Sequence, residues 1–494
     1  MNIREIRYFC KSKLKTMWRH DIKILLYFGI IASLISIPAP ILEFFQQSII
    51  NIVTQSISFP SEVGASSKIA WALNARKDSS QISYAVMYAS IMSLSIIFMI
   101  FYRERYLNPI FILALSSYFI YFSVFTFVIF PQIETIFTLQ ENIYYEASYI
   151  YQIWRGLLFY IGGSSVFNVF IIYWNPLFFA FLFWMLANQT VTSKQASWIY
   201  PSLVFFHLLG KGIGSSIVMF LMESNVKTFP YNEYDPGLII ITILLAIMIP
   251  LIYLIFNRLN IKEDDTFSRL QKNNSLSTSF QIKYLVNIAI IVLCYGVYTT
   301  YLNDFSKFLQ LGNLSTLNIE KYSTYISYYE ILFEIVFILC TCILINKIGW
   351  FYSALLVPVV ILLLGVFLVG QLYFPTHDFL FWNAVLTKGA ISGTYWTLFL
   401  STKEMAYIPL PLKTKARGKI FIDFIEPTQF IKLVIVTSPF LNQTEVWQLR
   451  WGTYGQTFVI LCIWLLWIVS LFKLKKFYYQ TEGSFKKTET LNPR

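Results

Sequence analysis

Residues 237–256 read GLIIITILLAIMIPLIYLIF, a stretch that contains no charged side chain. A bilayer hydrocarbon core about 30 Å thick needs about 20 mostly apolar helical residues, so this stretch predicts a membrane-spanning helix. The rest of the chain has a similar character. Of its 494 residues 56% are hydrophobic and only 13% are charged, whereas a soluble domain carries about 25% charged residues. The sequence therefore predicts one polytopic membrane protein.

Comparable apolar stretches recur along the whole chain and predict an all-α fold of about twelve transmembrane helices. The predicted spans cover residues 22–42, 84–102, 108–131, 156–187, 198–222, 237–256, 284–302, 326–346, 351–371, 379–401, 420–441 and 455–472. The fourth is long and contains Pro176. Because neighbouring helices can satisfy backbone groups that a proline frees, we predict one tilted or kinked helix there.

The basic residues predict the orientation, since Lys and Arg accumulate in cytoplasmic loops. With a cytoplasmic N-terminus, most of the 38 Lys and Arg fall in cytoplasmic segments, and three lie within spans, at Lys211, Lys388 and Lys432. Both termini are therefore predicted to be cytoplasmic, with an even number of spans. The net charge of +12 is explained as a topology signal, and nucleic acid is not an expected partner. The basic N-terminal segment runs directly into the first span and is predicted to be a retained anchor.

The longest polar connection, residues 257–283, predicts a cytoplasmic linker between two six-helix halves, residues 1–256 and 284–494. A transporter built from two related halves has this layout, with its substrate between the halves near the bilayer midplane. The expected surroundings are the lipid bilayer. The five cysteines lack the spacing of a zinc site, and no metal or cofactor is expected.

A charged segment between the tenth and eleventh spans contains Thr402-Lys-Glu-Met-Ala-Tyr-Ile-Pro-Leu410. It resembles, nearly letter for letter, the signature of the nucleotide transporter family typified by the ATP/ADP translocases of intracellular bacteria and plastids. Further family-like positions are Phe183-Trp184, Ala187-Asn188, Thr192, Ala196, Tyr200 and Cys294-Tyr-Gly296. The resemblance implies a major-facilitator-like fold and secondary transport of nucleotides without enzymatic activity. It also implies a monomer in the bacterial inner membrane.

A nucleotide crosses a membrane only if buried cations replace its counterions, because an unpaired charge in low dielectric is very costly. The resemblance implies that Lys403 is a transport-critical charge for substrate binding or gating, although a snorkelling lysine at a helix end remains the alternative. Lys388 lies deep in the tenth span beside glycines and is the strongest midplane phosphate candidate. Lys211 has a similar glycine-rich setting and either binds substrate or pairs with a buried carboxylate. Lys307 occupies a lysine position of the family.

Two more candidates follow from the same segments. Glu404 is adjacent to Lys403 but points elsewhere on a helix, so we expect it to pair with another cytoplasmic charge. Asn188 belongs to the family-like segment after the fourth span and is a candidate for substrate binding or gating. His207 is predicted to be a hydrogen-bonded interior histidine rather than a proton relay.

Acidic residues in spans are candidates for proton coupling. Glu330 and Glu334 are four residues apart and share a helix face in the eighth span. The alternative places Glu330 at the wet external end and pairs Glu334 with a lysine. Asp304, which follows the family-like Cys294-Tyr-Gly296, is the third coupling candidate.

Several charges that the family typically carries are replaced in this chain. The family's Arg-Asp-Thr-Lys-Asp element corresponds to Ile41–Gln47 in this chain. The stretch contains Glu43, followed by apolar and amide residues as far as Gln47. Gln46 stands at or near the position of the expected lysine. Ile172, Asn303 and Leu400 stand where acids are expected. Each desolvated charged contact commonly changes binding by a few kcal/mol, so a changed substrate or coupling is expected.

The default function is nonetheless ATP/ADP exchange by alternating access. The alternatives are proton-coupled or exchange uptake of another nucleotide, such as GTP, UTP or NAD, and a non-transporting receptor or scaffold derived from a transporter. A membrane-embedded enzyme would need clustered catalytic groups at one membrane face. The acids of the predicted external loops are scattered instead, at Glu134, Glu141, Glu146 and Asp235.

Overall fold

The computed structural model describes residues 21–42, 44, 107–129, 170–171, 173–223, 236–259, 277–311, 316–370, 386–387, 389–420, 422 and 461–480. Some helical positions, including 300–311 and 316–331, are described by their backbone alone. All regular structure within these residues is helical, which confirms the predicted all-α class. We refer to the described residues up to Leu259 as the N-terminal part and to those from Ser277 onward as the C-terminal part.

The described helices are numbered in chain order. They are α1 (Asp21–Leu42), α2 (Leu107–Val124), α3 (Trp184–Thr190), α4 (Ser193–Glu223), α5 (Pro236–Leu259), α6 (Thr278–Leu311), α7 (Thr316–Gly370), α8 (Leu400–Tyr407), α9 (Leu412–Lys419) and α10 (residues 461–480). Wider π-helical turns continue α2 at Phe125–Ile129, precede α3 at Asn175–Phe183 and precede α8 at Thr394–Phe399.

Six helices in the described part of the chain are long and apolar enough to cross a membrane. They are Asp21–Leu42, Asn108–Val128, Gln195–Leu221, Gly237–Leu259, Thr278–Thr299 and Leu332–Phe367. The first five coincide with the predicted first, third, fifth, sixth and seventh spans, and the last covers the eighth and ninth. The predicted second span and nearly all of the eleventh lie outside the described residues.

A glycine divides α7 into the two spans that the sequence predicts. Gly349 has φ 84° and ψ 170°, which is not a helical conformation. Only glycine adopts such a positive φ without steric cost. The chain therefore turns between the eighth and ninth spans at this residue, in agreement with predicted ends at residues 346 and 351.

The predicted distortion of the fourth span is present as a π-helical turn. This turn begins at Asn175 and has Pro176 in its first positions. A proline removes one backbone donor and its ring clashes with the preceding turn, so the helix widens locally. The indole of Trp174 donates to the carbonyl oxygen of Ile35 on α1 at 2.7 Å, which ties the start of the distorted turn to the first span.

Close helix packing in the N-terminal part depends on two glycines of α4. A Cβ atom at Gly210 would collide with the carbonyl oxygen of Ser33, and one at Gly214 would collide with the carbonyl oxygen of Ile37. In addition, the Ser33 hydroxyl donates to the Phe206 carbonyl oxygen at 2.8 Å. Small residues at helix contacts allow backbones to approach in membrane proteins, and α4 accordingly lies directly against α1.

The outer surface of the described bundle carries large apolar side chains. Leu113 is 72% exposed, Phe220 69% and Val366 64%. A surface of this kind suits contact with lipid rather than water. In the interior, α4 packs extensively against α7, which joins the N-terminal part to the C-terminal part.

Candidate functional site

Glu404 is fully buried and lies at the centre of a polar cluster between the two parts of the chain. It belongs to α8, and Lys419, at the end of α9, donates from Nζ to its Oε1 at 2.7 Å and its Oε2 at 2.6 Å. Lys419 is itself fully buried, with its Nζ 4.7 Å from the centre of the Tyr407 ring. The two oppositely charged groups compensate each other inside the protein.

Asn188 connects this ion pair to the N-terminal part. Its side-chain amide, at the end of α3, donates from Nδ2 to Glu404 Oε2 at 2.7 Å. The hydroxyl of Tyr200 on α4 in turn donates to Asn188 Oδ1. Both side chains are almost completely buried. The carboxylate of the C-terminal part is therefore bound by an amide that the N-terminal part positions.

Lys415 is a second buried lysine at this contact. Its Nζ donates to the carbonyl oxygens of Asn188 at 3.1 Å and Ile408 at 3.3 Å. Both carbonyls lie at helix C-terminal ends, where backbone acceptors lack intrahelical partners and a cation is favoured. Burial, followed by the charge of Lys419, lowers the pKa of Lys415 to about 7, with Glu404 partly opposing the shift.

Lys403 completes the arrangement. Its Nζ lies 3.3 Å from Glu404 Oε1, with 7% of the side chain exposed. Lys403 also lines a small cleft in the C-terminal part together with Trp350 and Trp467. Glu404 pairs with Lys419, a charge other than Lys403, but it also lies within ion-pair distance of Lys403, which the sequence did not predict. We call the following residues the Glu404 cluster: Asn188, Tyr200, Lys403, Glu404, Lys415 and Lys419.

A different environment surrounds Lys211, in the middle of α4. Its Nζ lies 5.3 Å from the centre of the Trp396 ring, so a cation of the N-terminal part faces an aromatic ring of the C-terminal part. Among the described residues, no carboxylate forms an ion pair with Lys211. The predicted alternative, a buried carboxylate partner, therefore has no support within the described part of the chain.

His207 lies one helical turn before Lys211 and is buried among aromatic rings. Its ring stacks on Phe179 with centroids 3.9 Å apart and lies 4.7 Å from the Trp396 ring. The Ser36 hydroxyl hydrogen-bonds to Nδ1, which agrees with the prediction of an interior histidine. No described residue is a partner of Nε2. We call Phe179, His207, Lys211 and Trp396 the Trp396 cluster.

The remaining predicted residues fall into two groups. Glu334 is buried and accepts a hydrogen bond from the Ser392 hydroxyl at 2.6 Å, and no described lysine pairs with it. Glu330, Asp304 and Lys307 lie on helices whose side chains are not described there.

The structure also describes some of the positions at which this chain lacks a charge that the family typically carries. Leu400 is buried at the start of α8, and Asn303 lies on the backbone of α6. The candidate Lys388 lies outside the described residues, as do Ile172, Glu43, Gln46 and Gln47. Within the described part of the chain, no group of three His, Cys, Asp or Glu side chains is arranged to hold a metal ion.

Sequence reasoning did not single out three residues of these clusters. Lys415 and Lys419 lie in the charged segment between the predicted tenth and eleventh spans, where basic residues usually indicate orientation, yet both are buried. Trp396 is the third of these residues. Its position in the same span as Lys388, close to the glycine pair Gly389 and Gly393, is the signal that could have identified it.

The helical bundle defines the class of protein. It is a polytopic membrane protein with a major-facilitator-like fold, since it is similar to the solved structure of the major facilitator superfamily proton:xylose symporter XylE bound to 6-bromo-6-deoxy-D-glucose. The TM-score is 0.53 at 11% identity, and the likeness covers 93% of this chain and 96% of that one. Residues 9–478 match the TLC ATP/ADP transporter family. The chain belongs to this family, which confirms the resemblance seen in its motifs.

Curated relatives are distant in sequence. ADP,ATP carrier protein 4 of Rickettsia felis is 25% identical over 405 residues, which cover 72% of this chain and 77% of the carrier. ADP,ATP carrier protein 3 of the same organism is 23% identical over 414 residues, which cover 75% and 81%. The similarity therefore extends over most of both chains, at an identity that leaves room for differences in the site.

Proposed function

We propose that this protein exchanges nucleotides across a bacterial inner membrane by alternating access, with ATP and ADP as its substrates. Membership in the TLC ATP/ADP transporter family supports this function, as do relatives named ADP,ATP carriers. In this proposal both termini and the Glu404 cluster lie on the cytoplasmic side, which the distribution of basic residues supports. In this proposal the N-terminal and C-terminal parts are the two halves that move against each other.

The observation that carries the proposal is the environment of Lys211. A lysine within a membrane span is costly unless an anion compensates it, and no described carboxylate does so. In this proposal a nucleotide phosphate supplies the compensating negative charge. Trp396, half-buried opposite the lysine, offers a ring on which a nucleobase can stack. A lysine and a tryptophan from different halves thus match the two ends of a nucleotide.

The distorted spans support the same location. The π-helical turns Asn175–Phe183 and Thr394–Phe399 lie in the fourth span of each proposed half. Interrupted helices at corresponding positions of two repeats are where transporters bind their substrates. The two turns approach each other, with the rings of Phe179 and Trp396 5.8 Å apart. A substrate bound at this contact would touch both halves and could therefore affect how they move against each other.

The Glu404 cluster closes the cytoplasmic end in this arrangement. Asn188 and Tyr200 come from one half, and Glu404, Lys415 and Lys419 come from the other. Their bonds must break before a nucleotide can leave toward the cytoplasm. In this proposal the described conformation is closed to the cytoplasm.

Uptake into intact cells tests the proposal. The chain is expressed in the inner membrane of a bacterium that lacks nucleotide uptake, and insertion is verified by labelling. Uptake of labelled ATP, ADP, GTP, UTP and NAD is then measured with and without internal ADP and a protonophore. We expect uptake of ATP and ADP, stimulation by internal ADP and little effect of the protonophore.

Three other outcomes have defined meanings. Uptake of GTP, UTP or NAD in place of ATP would contradict the proposed substrate. Collapse of uptake with the protonophore would replace exchange by proton coupling, with the buried Glu334 as the first residue to examine. Absence of uptake of every nucleotide by an inserted protein would contradict transport itself.

A further inference from the structure

We propose that His207 is a specificity-determining residue, whose Nε2 accepts a hydrogen bond from a ribose hydroxyl of the bound nucleotide. The inference rests on the proposed function, because it assigns a nucleotide to the Trp396 cluster. It goes further in naming a contact to the sugar. This contact lies between the phosphate that Lys211 would bind and the base that would stack on Trp396.

The hydrogen bonds of Ser36 determine which nitrogen of His207 carries the proton. The Ser36 hydroxyl donates to the carbonyl oxygen of Ala32 at 2.6 Å, and a carbonyl oxygen can only accept. Because a hydroxyl has a single hydrogen, the same oxygen accepts at its other contact, which is Nδ1 of His207. The Nδ1 atom is therefore protonated. In a neutral imidazole with its hydrogen on Nδ1, Nε2 carries a lone pair and is an acceptor.

The surroundings of His207 favour this neutral form. The ring is buried in contact with Phe179 and Trp396, and Lys211 lies one helical turn further along α4. No carboxylate of the described residues forms an ion pair with the imidazole. A charged ring would place a second cation near Lys211 in an apolar environment, which is unfavourable. Nε2 therefore acts as an acceptor and not as a donor.

The Nε2 atom of His207 is buried, and no described residue is its hydrogen-bond partner. Most buried polar atoms in proteins are hydrogen-bonded, so an exception requires an explanation. An acceptor needs a donor. The ribose hydroxyls and the base amine of a nucleotide are donors, whereas its ionised phosphates are acceptors only. The unpartnered atom therefore indicates contact with the nucleoside rather than with the phosphates.

The position of His207 favours the ribose over the base. Side chains four residues apart on a helix have Cβ atoms about 5–6 Å apart, so His207 and Lys211 lie side by side on α4. The ring centre of Trp396 is 4.7 Å from the imidazole centre and 5.3 Å from Lys211 Nζ. In a nucleotide the ribose is bonded to both the phosphate and the base. A phosphate at Lys211 and a base on Trp396 therefore leave the ribose nearest to His207.

Movement of the two halves would uncover the acceptor without disturbing its orientation. Phe179 and His207 belong to the N-terminal part, whereas Trp396 belongs to the C-terminal part. Separation of the parts would withdraw the indole from the imidazole. Ser36 would continue to hold the ring, because α1 packs so closely on α4 that a Cβ atom at Gly210 would collide with Ser36. The imidazole is thus preorganised for a ligand.

Binding of sugar-modified nucleotides tests the proposal. The full chain is placed in phosphatidylcholine nanodiscs, and dissociation constants are measured for ADP and for its 2′-deoxy, 3′-deoxy and 2′,3′-dideoxy analogues. A site built around a hydroxyl rejects a ligand without it, so the dideoxy analogue should bind at least about fivefold more weakly than ADP. A loss confined to one single-deoxy analogue supports the proposal and identifies the hydroxyl. Equal affinity for ADP and the dideoxy analogue would overturn it.

Two substitutions of His207 separate the acceptor from the structural role of the ring. His207→Asn keeps an amide donor near the position of Nδ1 for Ser36 but has no atom at the position of Nε2, whereas His207→Gln places an amide oxygen there. In His207→Asn the preference for ADP over the dideoxy analogue should fall below about twofold. In His207→Gln a preference of at least about threefold should remain. Equal weakening of both ligands by His207→Asn, with the preference intact, would show a structural histidine and overturn the proposal.

A base-modified nucleotide distinguishes the ribose from the base amine. Purine riboside 5′-diphosphate has both hydroxyls but no amine. His207→Asn should weaken its binding by the same factor as that of ADP. Loss of this dependence on His207 would assign the acceptor to the base and overturn the ribose contact.

Nitrogen NMR covers the case in which the His207 variants fail to fold. The chain has three histidines, so in a protein that carries His20→Gln and His377→Gln the labelled imidazole signals belong to His207. We expect the proton on Nδ1 and an Nε2 signal that moves with ADP but not with the dideoxy analogue. A proton on Nε2 in the absence of ligand would overturn the proposal. Nucleotide uptake without any sugar preference would overturn this inference alone, whereas absence of all nucleotide binding would contradict the proposed function as well.

Discussion

Two places bring buried or half-buried lysines to the boundary between the N-terminal and C-terminal parts, and they differ in how the charge is balanced. Lys419 donates to both oxygens of Glu404, at 2.7 and 2.6 Å. Lys211 faces the ring of Trp396 at 5.3 Å and pairs with no described carboxylate. A lysine that the protein itself neutralises can hold two parts together. A lysine with no carboxylate partner among the described residues can instead bind an anion of the substrate.

Neutralising Lys211 should have the largest effect on transport. Lys211→Met keeps much of the apolar stem but removes the charge that the proposal assigns to the nucleotide phosphate. Since a desolvated charge pair is worth several kcal/mol, kcat/KM for ATP uptake should fall about 100-fold. The measurement is the initial rate of labelled ATP uptake at several concentrations, normalised to the amount of inserted protein.

Lys347→Met is the matched control for that substitution. Lys347 is an exposed lysine near the end of the first half of α7 and belongs to neither cluster. Its loss should change uptake less than about twofold. Equal losses in the two variants would mean that Lys211 contributes only general positive charge, and the contrast between the two lysine environments would then have no functional meaning.

The packing behind Lys211 can be tested with neighbouring glycines. Gly210→Ala places a Cβ atom against the Ser33 carbonyl oxygen, whereas Gly212→Ala meets no atom within 4 Å. We expect Gly210→Ala to destabilise the protein by about 1–3 kcal/mol. Gly212→Ala should be neutral or stabilising by up to about 1 kcal/mol, because alanine favours helix. Thermal unfolding in detergent measures both, and equal midpoints would contradict close packing of α4 on α1.

The Glu404 cluster should open more readily at low pH because of Lys415. Its pKa is lowered to about 7 in the closed arrangement, against about 10.4 for an exposed lysine. Below pH 7 Lys415 is charged in both arrangements. Between pH 7 and about pH 10, Lys415 is neutral in the closed arrangement and charged in the open one. The closed arrangement therefore binds fewer protons, and a rise in pH favours it. Lowering the pH from 8 to 6 should raise the open fraction about tenfold.

Hydrogen exchange of residues 412–420 measures this opening, after correction for the intrinsic pH dependence of amide exchange. Lys415→Met serves as the control, because methionine does not titrate. The open fraction in that variant should stay constant between pH 6 and pH 8. If the open fraction of the wild-type protein were also constant between pH 6 and pH 8, or were greater at high pH, the result would contradict a closure that buries Lys415.

The smallest effect is expected at Ser392, whose hydroxyl donates to Glu334 at 2.6 Å. In the exchange mechanism Glu334 is structural, so Ser392→Ala removes one hydrogen bond worth about 1 kcal/mol. Uptake should fall no more than about fivefold and should stay insensitive to a protonophore. If the uptake that remains in this variant were sensitive to the protonophore, Glu334 would instead take part in proton coupling.

Much of the fold follows from the sequence. Long apolar stretches specify spanning helices because lipid offers no partner for an open backbone. The distortion at Pro176 is predicted because proline imposes local geometry, and the break at Gly349 falls between two apolar stretches that are predicted to end at residue 346 and begin at residue 351. These features depend on neighbouring residues only, which is why a single sequence is sufficient for them.

The site was less predictable because it depends on residues far apart in the chain. Asn188 and Glu404 were both identified as candidates, but their contact joins positions 216 residues apart. The burial of Lys415 and Lys419 could not be predicted, because the basic segment that contains them has the composition of an ordinary cytoplasmic loop. Trp396 becomes important only through Lys211, which belongs to another helix. The local sequence pattern can identify such residues one at a time. Only the packing of the helices shows which of them are in contact.

The central claim is that a nucleotide phosphate is the anion that binds at Lys211. The most direct measurement is the affinity of purified protein in nanodiscs for ADP and for adenosine, which has no phosphate, in the wild type and in Lys211→Met. We expect the substitution to weaken ADP binding at least about tenfold and adenosine binding less than about twofold. Equal weakening of both ligands, or no change for ADP, would contradict the claim.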